Sequence, residues 1–146
     1  MKMKVDVMSR MKIGEFSQHK HAEVIAVVSI SDPDKESPML QNESGNGIVR
    51  LLQLHFADVE TGQLDCMTDS QAKSIAEFVL HVQDTVDRII VHCEAGVSRS
   101  AGTAAAIMKY INGNDWGVFD DPGKRPNMTC YRKVINAFYE KEWVEE

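Results

Sequence analysis

One stretch of this chain limits its possible folds more than any other: IIVHCEAGVSRSAGTAAA, residues 89 to 106. The apolar, β-branched run Ile89-Ile90-Val91 reads as a buried strand that ends at His92-Cys93. A short loop containing Gly96 follows, and a helix begins near Ser98 to Ser100. That helix is rich in alanine and other small residues, and it stops near Asn112-Gly113, where glycine suits a left-handed C-terminal cap. A buried strand feeding a close-packed helix through a tight loop is the unit of an α/β domain.

The remaining segments agree with that unit. Residues 5–9 (VDVMS), 22–31 (AEVIAVVSIS), 48–56 (IVRLLQLHF) and 87–93 (DRIIVHC) read as strands. Residues 31–38 and 42–47 are rich in Ser, Asp, Asn, Pro and Gly and read as loops. Between the third and fourth strands, Thr68 and Gln71 form a capping box. Ala72, Ile75, Ala76, Val79 and Leu80 then recur at helical spacing. Gly117 to Pro126 reads as a loop with two prolines. From Thr129 onward, Tyr131, Val134, Ile135, Phe138 and Tyr139 share one face of a terminal helix. The expected fold is a single α/β domain over residues 1–146, with a central, mostly parallel sheet of four to five strands flanked by helices. No internal repeat or low-complexity segment interrupts it. In such sheets ligands sit beyond the carboxyl ends of the strands, which is where Cys93 falls.

The loop from His92 to Ser100 is suited to holding an anion. Successive N–H groups of residues 94–98 (Glu94, Ala95, Gly96, Val97, Ser98), with the free N–H groups at the helix start, converge on one point. Gly96 allows a positive φ and keeps a side chain out of the cradle. Arg99 closes the site with a planar fork that grips phosphate bidentately. The same positive surroundings lower the Cys93 thiol below its ordinary value and make it a thiolate. A thiolate facing a bound phosphoryl group is a nucleophile aimed at phosphorus, and Ser100 can donate a hydrogen bond to the sulfur and help it leave again. A free cysteine taken singly is ordinarily core. The combination at these offsets points to chemistry.

His92-Cys93-x5-Arg99-Ser100 resembles the signature loop of the cysteine-based protein tyrosine phosphatases, especially the compact dual-specificity type. The capped helix before the loop, the small-residue helix after it, and Pro126-Asn127 ahead of the terminal helix extend the similarity over residues 48 to 140. The resemblance implies hydrolysis of a phosphate monoester in two steps. Cys93 would become a phosphocysteine, Arg99 would bind the phosphoryl oxygens, and water would release phosphate. It implies further that His92 orients the loop and supports the thiolate.

The family also uses an upstream aspartate as general acid, then base. Three aspartates are available: Asp58 directly after the third strand, Asp65 in the following loop, and Asp69 in the first turn of the capped helix. Asp58 has the spacing of the compact members, whereas the helix dipole alone explains Asp69. The Trp-Pro-Asp element of the classical tyrosine-specific enzymes is absent. Asn127 either braces the signature loop or caps the last helix. Cys66 and Cys130 have no spacing that pairs them with Cys93. His19 and His21 lack further residues at metal-ligand spacing, and the proposed chemistry needs no metal or cofactor.

Charge narrows the partners. Sixteen basic residues against 22 acidic ones give a net charge of −6, which phosphate backbones and anionic lipid repel. Neither nucleic acid nor membrane is therefore the expected partner. Three cysteines without a C-x-x-C pair, and an N-terminus without an apolar leader, point to a reducing, cytoplasmic setting. The expected activity is that of a phosphoprotein phosphatase, with phosphotyrosine the expected substrate and a phosphate ion in the site. Its alternative is a catalytically silent module that binds phosphorylated partners. Sulfur transfer or arsenate reduction would need a persulfide carrier or a resolving cysteine, and neither is visible.

Overall fold

The four apolar segments become strands, and their place in the sheet explains their composition. In the computed structural model, which describes residues 3–41 and 45–145, they are β1 (Lys4–Met8), β2 (Ile25–Ser31), β3 (Ile48–His55) and β4 (Arg88–His92). The sheet order is β1-β4-β2-β3, and every pairing is parallel. All seven residues of β2 are buried, as are Ile89 to His92 of β4. The edge strand β3 keeps several side chains in solvent. Central strands of a parallel sheet are covered on both faces and so read as continuous apolar runs.

Among the described residues five helices cover this sheet: α1 (Arg10–Ser17), α2 (Asp69–Val82), α3 (Arg99–Asn112), α4 (Trp116–Phe119) and α5 (Met128–Glu145). Ile89 and Val91 pack with α2, α3 and α5 in the larger core. Ile90 points the other way, into a smaller core with Ile13 of α1. The Thr68–Gln71 capping box closes α2 with hydrogen bonds of 2.9 and 3.0 Å. The alanines of α3 let it sit close to its neighbours. At Gly102 a Cβ would lie 2.2 Å from the Asn127 carbonyl oxygen at the start of α5.

Several expectations change. The second strand starts at Ile25 rather than residue 22. The expected loop from Gly117 to Pro126 opens inside α4, a single helical turn whose Val118 is buried. Helix α1 has no counterpart in the sequence reading. It is short, contains Gly14, and buries only Ile13 and Ser17, so it lacks an apolar stripe. Tyr139 is 45% exposed and meets Tyr110 only edge-on, although its spacing placed it on the buried face. Of the loop expected at 42–47, residues 42–44 lie outside the described residues.

Candidate active site

Cys93 is the first residue beyond β4, and β4 lies between β1 and β2, so the thiol emerges at the centre of the sheet's carboxyl edge. The loop that follows turns its carbonyls outward, and each of five is held from behind. The Cys93 carbonyl lies 3.3 Å from His92 Nδ1. The Glu94 carbonyl accepts from Arg10 N–H at 3.1 Å, and Val97 from Arg125 N–H at 3.0 Å. Gly96 accepts from Lys124 Nζ at 2.9 Å. Ser98 accepts from the amides of Gly102 and Asn127. Among the described residues, no backbone carbonyl engages the amides of residues 94 to 98. Outward carbonyls leave inward N–H groups, the arrangement of an anion nest. Gly96 makes the turn possible: its φ is +71°, and a Cβ there would stand 2.6 Å from Ser9 N.

The sulfur lies inside this nest. Cys93 is 2% exposed and its Sγ is 3.0 Å from Ser100 Oγ. Burial alone would raise the thiol, but the Ser100 hydroxyl and amide, the Gly96 amide and the Arg99 charge outweigh it and lower the thiol below its ordinary value. Cys130 shows the opposite outcome. It is equally buried, and burial pushes its thiol up to about 12.

Arg99 opens α3 and is almost completely buried. Its Nη1 donates to the Phe56 carbonyl and to Asp32 Oδ1, both at 2.8 Å. Nε is buried with no hydrogen-bond partner among the described residues. One edge of the fork is therefore anchored, while a buried donor on the other lacks a partner, as suits a group held ready for an anion. Asp32 was not singled out from the sequence, where it reads as a turn residue in SDPDKESP. Its role depends on β2 and β4 being neighbours, which no local signal reveals. Lys35 of the same loop lies 3.2 Å from Glu94 Oε1, tying that loop to the signature loop.

His92 is fully buried, and burial lowers it to about 4, so it is neutral. A carbonyl can only accept, so the Nδ1 facing the Cys93 carbonyl carries the proton. Nε2 then accepts from Ser29 Oγ at 2.6 Å. Ser29 and His92 are register partners on β2 and β4.

The three aspartates separate clearly. Asp58 lines the same cavity as Cys93, Ser98 and Arg99, about 440 Å³ in volume. It also borders a neighbouring depression of about 790 Å³ that runs toward Asn127 and Arg132. Asp65 lies outside both, in a left-handed conformation, φ 61°, with its carbonyl accepting from Ala57 N–H. Asp69 pairs with Lys133 at 3.0 Å on α5. The side chain of Asn127 bonds at the start of α5 and to the segment carrying Asp58 rather than to the signature loop, which only its backbone N–H reaches, at the Ser98 carbonyl. Its Oδ1 accepts from Cys130 N–H at the start of α5, and its Nδ2 donates to Asp58 Oδ1 at 2.9 Å.

No protein-family model matches the sequence, and neither does any curated protein. Solved structures do resemble the fold. Human DUSP28 superposes with a TM-score of 0.61 at 14% identity, covering 97% of this chain and 95% of that one. The human tyrosine phosphatase-like serine/threonine/tyrosine-interacting protein gives 0.56 at 18% identity, over 94% and 86% of the two chains. PTPMT1 in complex with PI(5)P gives 0.56 at 16%, over 98% and 95%. The chain has the compact cysteine-based phosphatase fold of the dual-specificity type.

Proposed function

We propose that this protein hydrolyses phosphate monoesters on phosphorylated protein, with phosphotyrosine as substrate. One observation carries the reading: a thiol held below its ordinary value lies in a nest of amides that no backbone carbonyl of the described residues engages, beside a buried arginine whose Nε has no hydrogen-bond partner among those residues. Phosphate binding alone does not require a nucleophilic sulfur.

In the first step the phosphoryl oxygens occupy the N–H groups of residues 94 to 98 and the Arg99 fork. Cys93 Sγ attacks phosphorus; the S–P bond forms as the bond to the leaving oxygen breaks. Asp58 gives its proton to that oxygen. In the second step the Asp58 carboxylate takes a proton from water, whose oxygen attacks phosphorus. The P–S bond breaks, and the sulfur returns as thiolate, stabilised by the Ser100 hydroxyl. The reaction needs a reduced thiol, which suits a cytoplasmic setting. Glu94 lines the cavity, and the signature loop carries no lysine, which favours a singly phosphorylated side chain over a polyphosphorylated headgroup.

The test is turnover of p-nitrophenyl phosphate and of a phosphotyrosine peptide, against a Cys93→Ser control. Activity above the control, with a phosphocysteine trapped by acid quench, supports the reading. Tight phosphate binding without turnover would instead favour a module that recognises phosphorylated partners.

A further inference from the structure

Ser98 occupies the N-cap of α3, the place where a serine ordinarily accepts a hydrogen bond from the helix's own amides. Here it makes no cap. Its hydroxyl donates instead to Asp58 Oδ1, at 2.7 Å. A second donor reaches the same oxygen, Asn127 Nδ2 at 2.9 Å. The orientation of that amide is not arbitrary, because Asn127 Oδ1 must face the Cys130 N–H, which can only donate. Nδ2 is fixed further by the Val59 carbonyl at 3.1 Å. Two donors therefore converge on one oxygen of the carboxyl group, and Oδ2 has no hydrogen bond among the described residues.

From this geometry we propose that Ser98 is a positioning residue for the general acid: its hydroxyl, with the Asn127 amide, clamps Asp58 Oδ1 and makes Oδ2 the atom that carries the proton. The inference rests on the reading of Asp58 given above. A carboxylic acid protonated on Oδ2 accepts both bonds at Oδ1 without losing either. As the proton passes to the leaving oxygen, negative charge builds on the carboxylate, and both bonds become charge-assisted and stronger. The clamp thus holds the transition state more tightly than the ground state, which is the condition for accelerating the step. The same clamp presents Oδ2 as the base for water afterwards. Diverting the Ser98 hydroxyl also leaves the first amides of α3 without a side-chain cap, at the end of the helix that faces the nest.

This assignment has a signature that loss of packing would not produce. A clamp on the acid matters in proportion to how much the leaving oxygen needs a proton. In kcat/KM, Ser98→Ala should slow phenyl phosphate about tenfold, the loss expected for one hydrogen bond to a charged group. It should leave 2,4-dinitrophenyl phosphate, whose leaving group departs unaided, within about twofold. In an Asp58→Asn background, Ser98→Ala should slow phenyl phosphate no further. Ser98→Thr, which keeps the hydroxyl, should restore most of the rate. Thermal unfolding of Ser98→Ala should match the parent, because no helix cap is lost. Equal slowing of both substrates, or an effect fully additive with Asp58→Asn, would overturn the inference and assign the hydroxyl to the phosphoryl group. If Asp58→Asn itself spares phenyl phosphate, the acid assignment falls and takes this inference with it. An Asp58→Asn variant with the leaving-group signature beside a Ser98→Ala variant without it overturns the role of Ser98 alone.

Discussion

Arg99 Nη1 lies 2.8 Å from Asp32 Oδ1, joining the first residue of α3 to the loop that leaves β2. Asp32 is about one-third exposed and Arg99 only 6%, so the pair shields one edge of the guanidinium and fixes its plane. Removing the carboxylate has two opposed effects on an incoming anion. The site loses a negative charge, which favours binding, and the fork loses an anchor, which harms its geometry. Bound phosphate tolerates a loose fork better than a trigonal transition state does. Asp32→Ala should therefore lower kcat about tenfold, while the inhibition constant of inorganic phosphate changes by less than about threefold. Asp32→Asn, which keeps an acceptor, should lose less. A weakened inhibition constant with kcat unchanged would mean that Asp32 serves binding alone.

The two buried cysteines should differ in reactivity. Cys93 is lowered by the Ser100 hydroxyl, the nest amides and Arg99 acting against burial, whereas burial pushes Cys130 up to about 12. Iodoacetate at neutral pH should label Cys93 selectively and leave Cys130 untouched until the protein unfolds. Ser100→Ala removes a donor to the thiolate, which moves the Cys93 thiol upward. Its alkylation should slow more at pH 6 than at pH 9 relative to the parent. Mass spectrometry of the labelled peptides reads both effects, and labelling of Cys130 in the native protein would contradict the first.

Gly102 tests how α3 and α5 share the task of holding Asp58. A Cβ at this position would meet the Asn127 carbonyl oxygen at 2.2 Å, and that oxygen belongs to backbone rather than to a flexible side chain. The carbonyl also accepts from Tyr131 N–H at 3.1 Å, so it cannot simply swing aside. Gly102→Ala should force the start of α5 outward and cost about 1–3 kcal/mol, the usual range for an overpacked core. Because Asn127 would move with it, the slowing of phenyl phosphate should exceed that of 2,4-dinitrophenyl phosphate. A stable variant with unchanged leaving-group dependence would show that α5 adjusts without disturbing Asp58.

How much of this was legible in the chain follows from what each feature depends on. The four strands, α2 and α3 are announced by local signals: β-branched runs, the Thr68–Gln71 box, and alanine after Ser100. The nest could be foreseen because its parts lie within nine consecutive residues. Helix α1 could not, since it buries so little that packing against Ile90 and Ile25, rather than its own pattern, holds it in place. Asp32 and the clamp on Asp58 were invisible for another reason. They join residues 67, 40 and 69 positions apart, and only the strand order brings them together. The choice among three aspartates narrowed in the same way, through the Asp69–Lys133 pair and the cavity that Asp58 shares with Cys93.

His92 links the sheet to the signature loop through its protonation state, and this gives the fold a pH dependence that can be measured. In the native protein burial lowers it to about 4, against 6.5 for an ordinary histidine. Above pH 6.5 both folded and unfolded chains carry it neutral, and its contribution to stability is complete. Below that, the unfolded chain takes up a proton that the folded chain refuses, so stability falls as pH drops toward 4. The loss should be about 2 kcal/mol at pH 5 and about 3 kcal/mol once the window is crossed. Protonation would also place a donor on Nε2, so Ser29 Oγ would have to turn from donor to acceptor to keep the contact between β2 and the strand that carries Cys93. Urea denaturation at pH 7.5 and pH 5 should show this loss in the parent. In His92→Asn the part due to this residue should vanish, leaving only the shallower slope of the carboxylates. The imidazole resonance of His92 should stay fixed between those two pH values. If it titrates near 6.5 in the folded protein, the ring is solvated and does not support the loop in the way its two hydrogen bonds indicate.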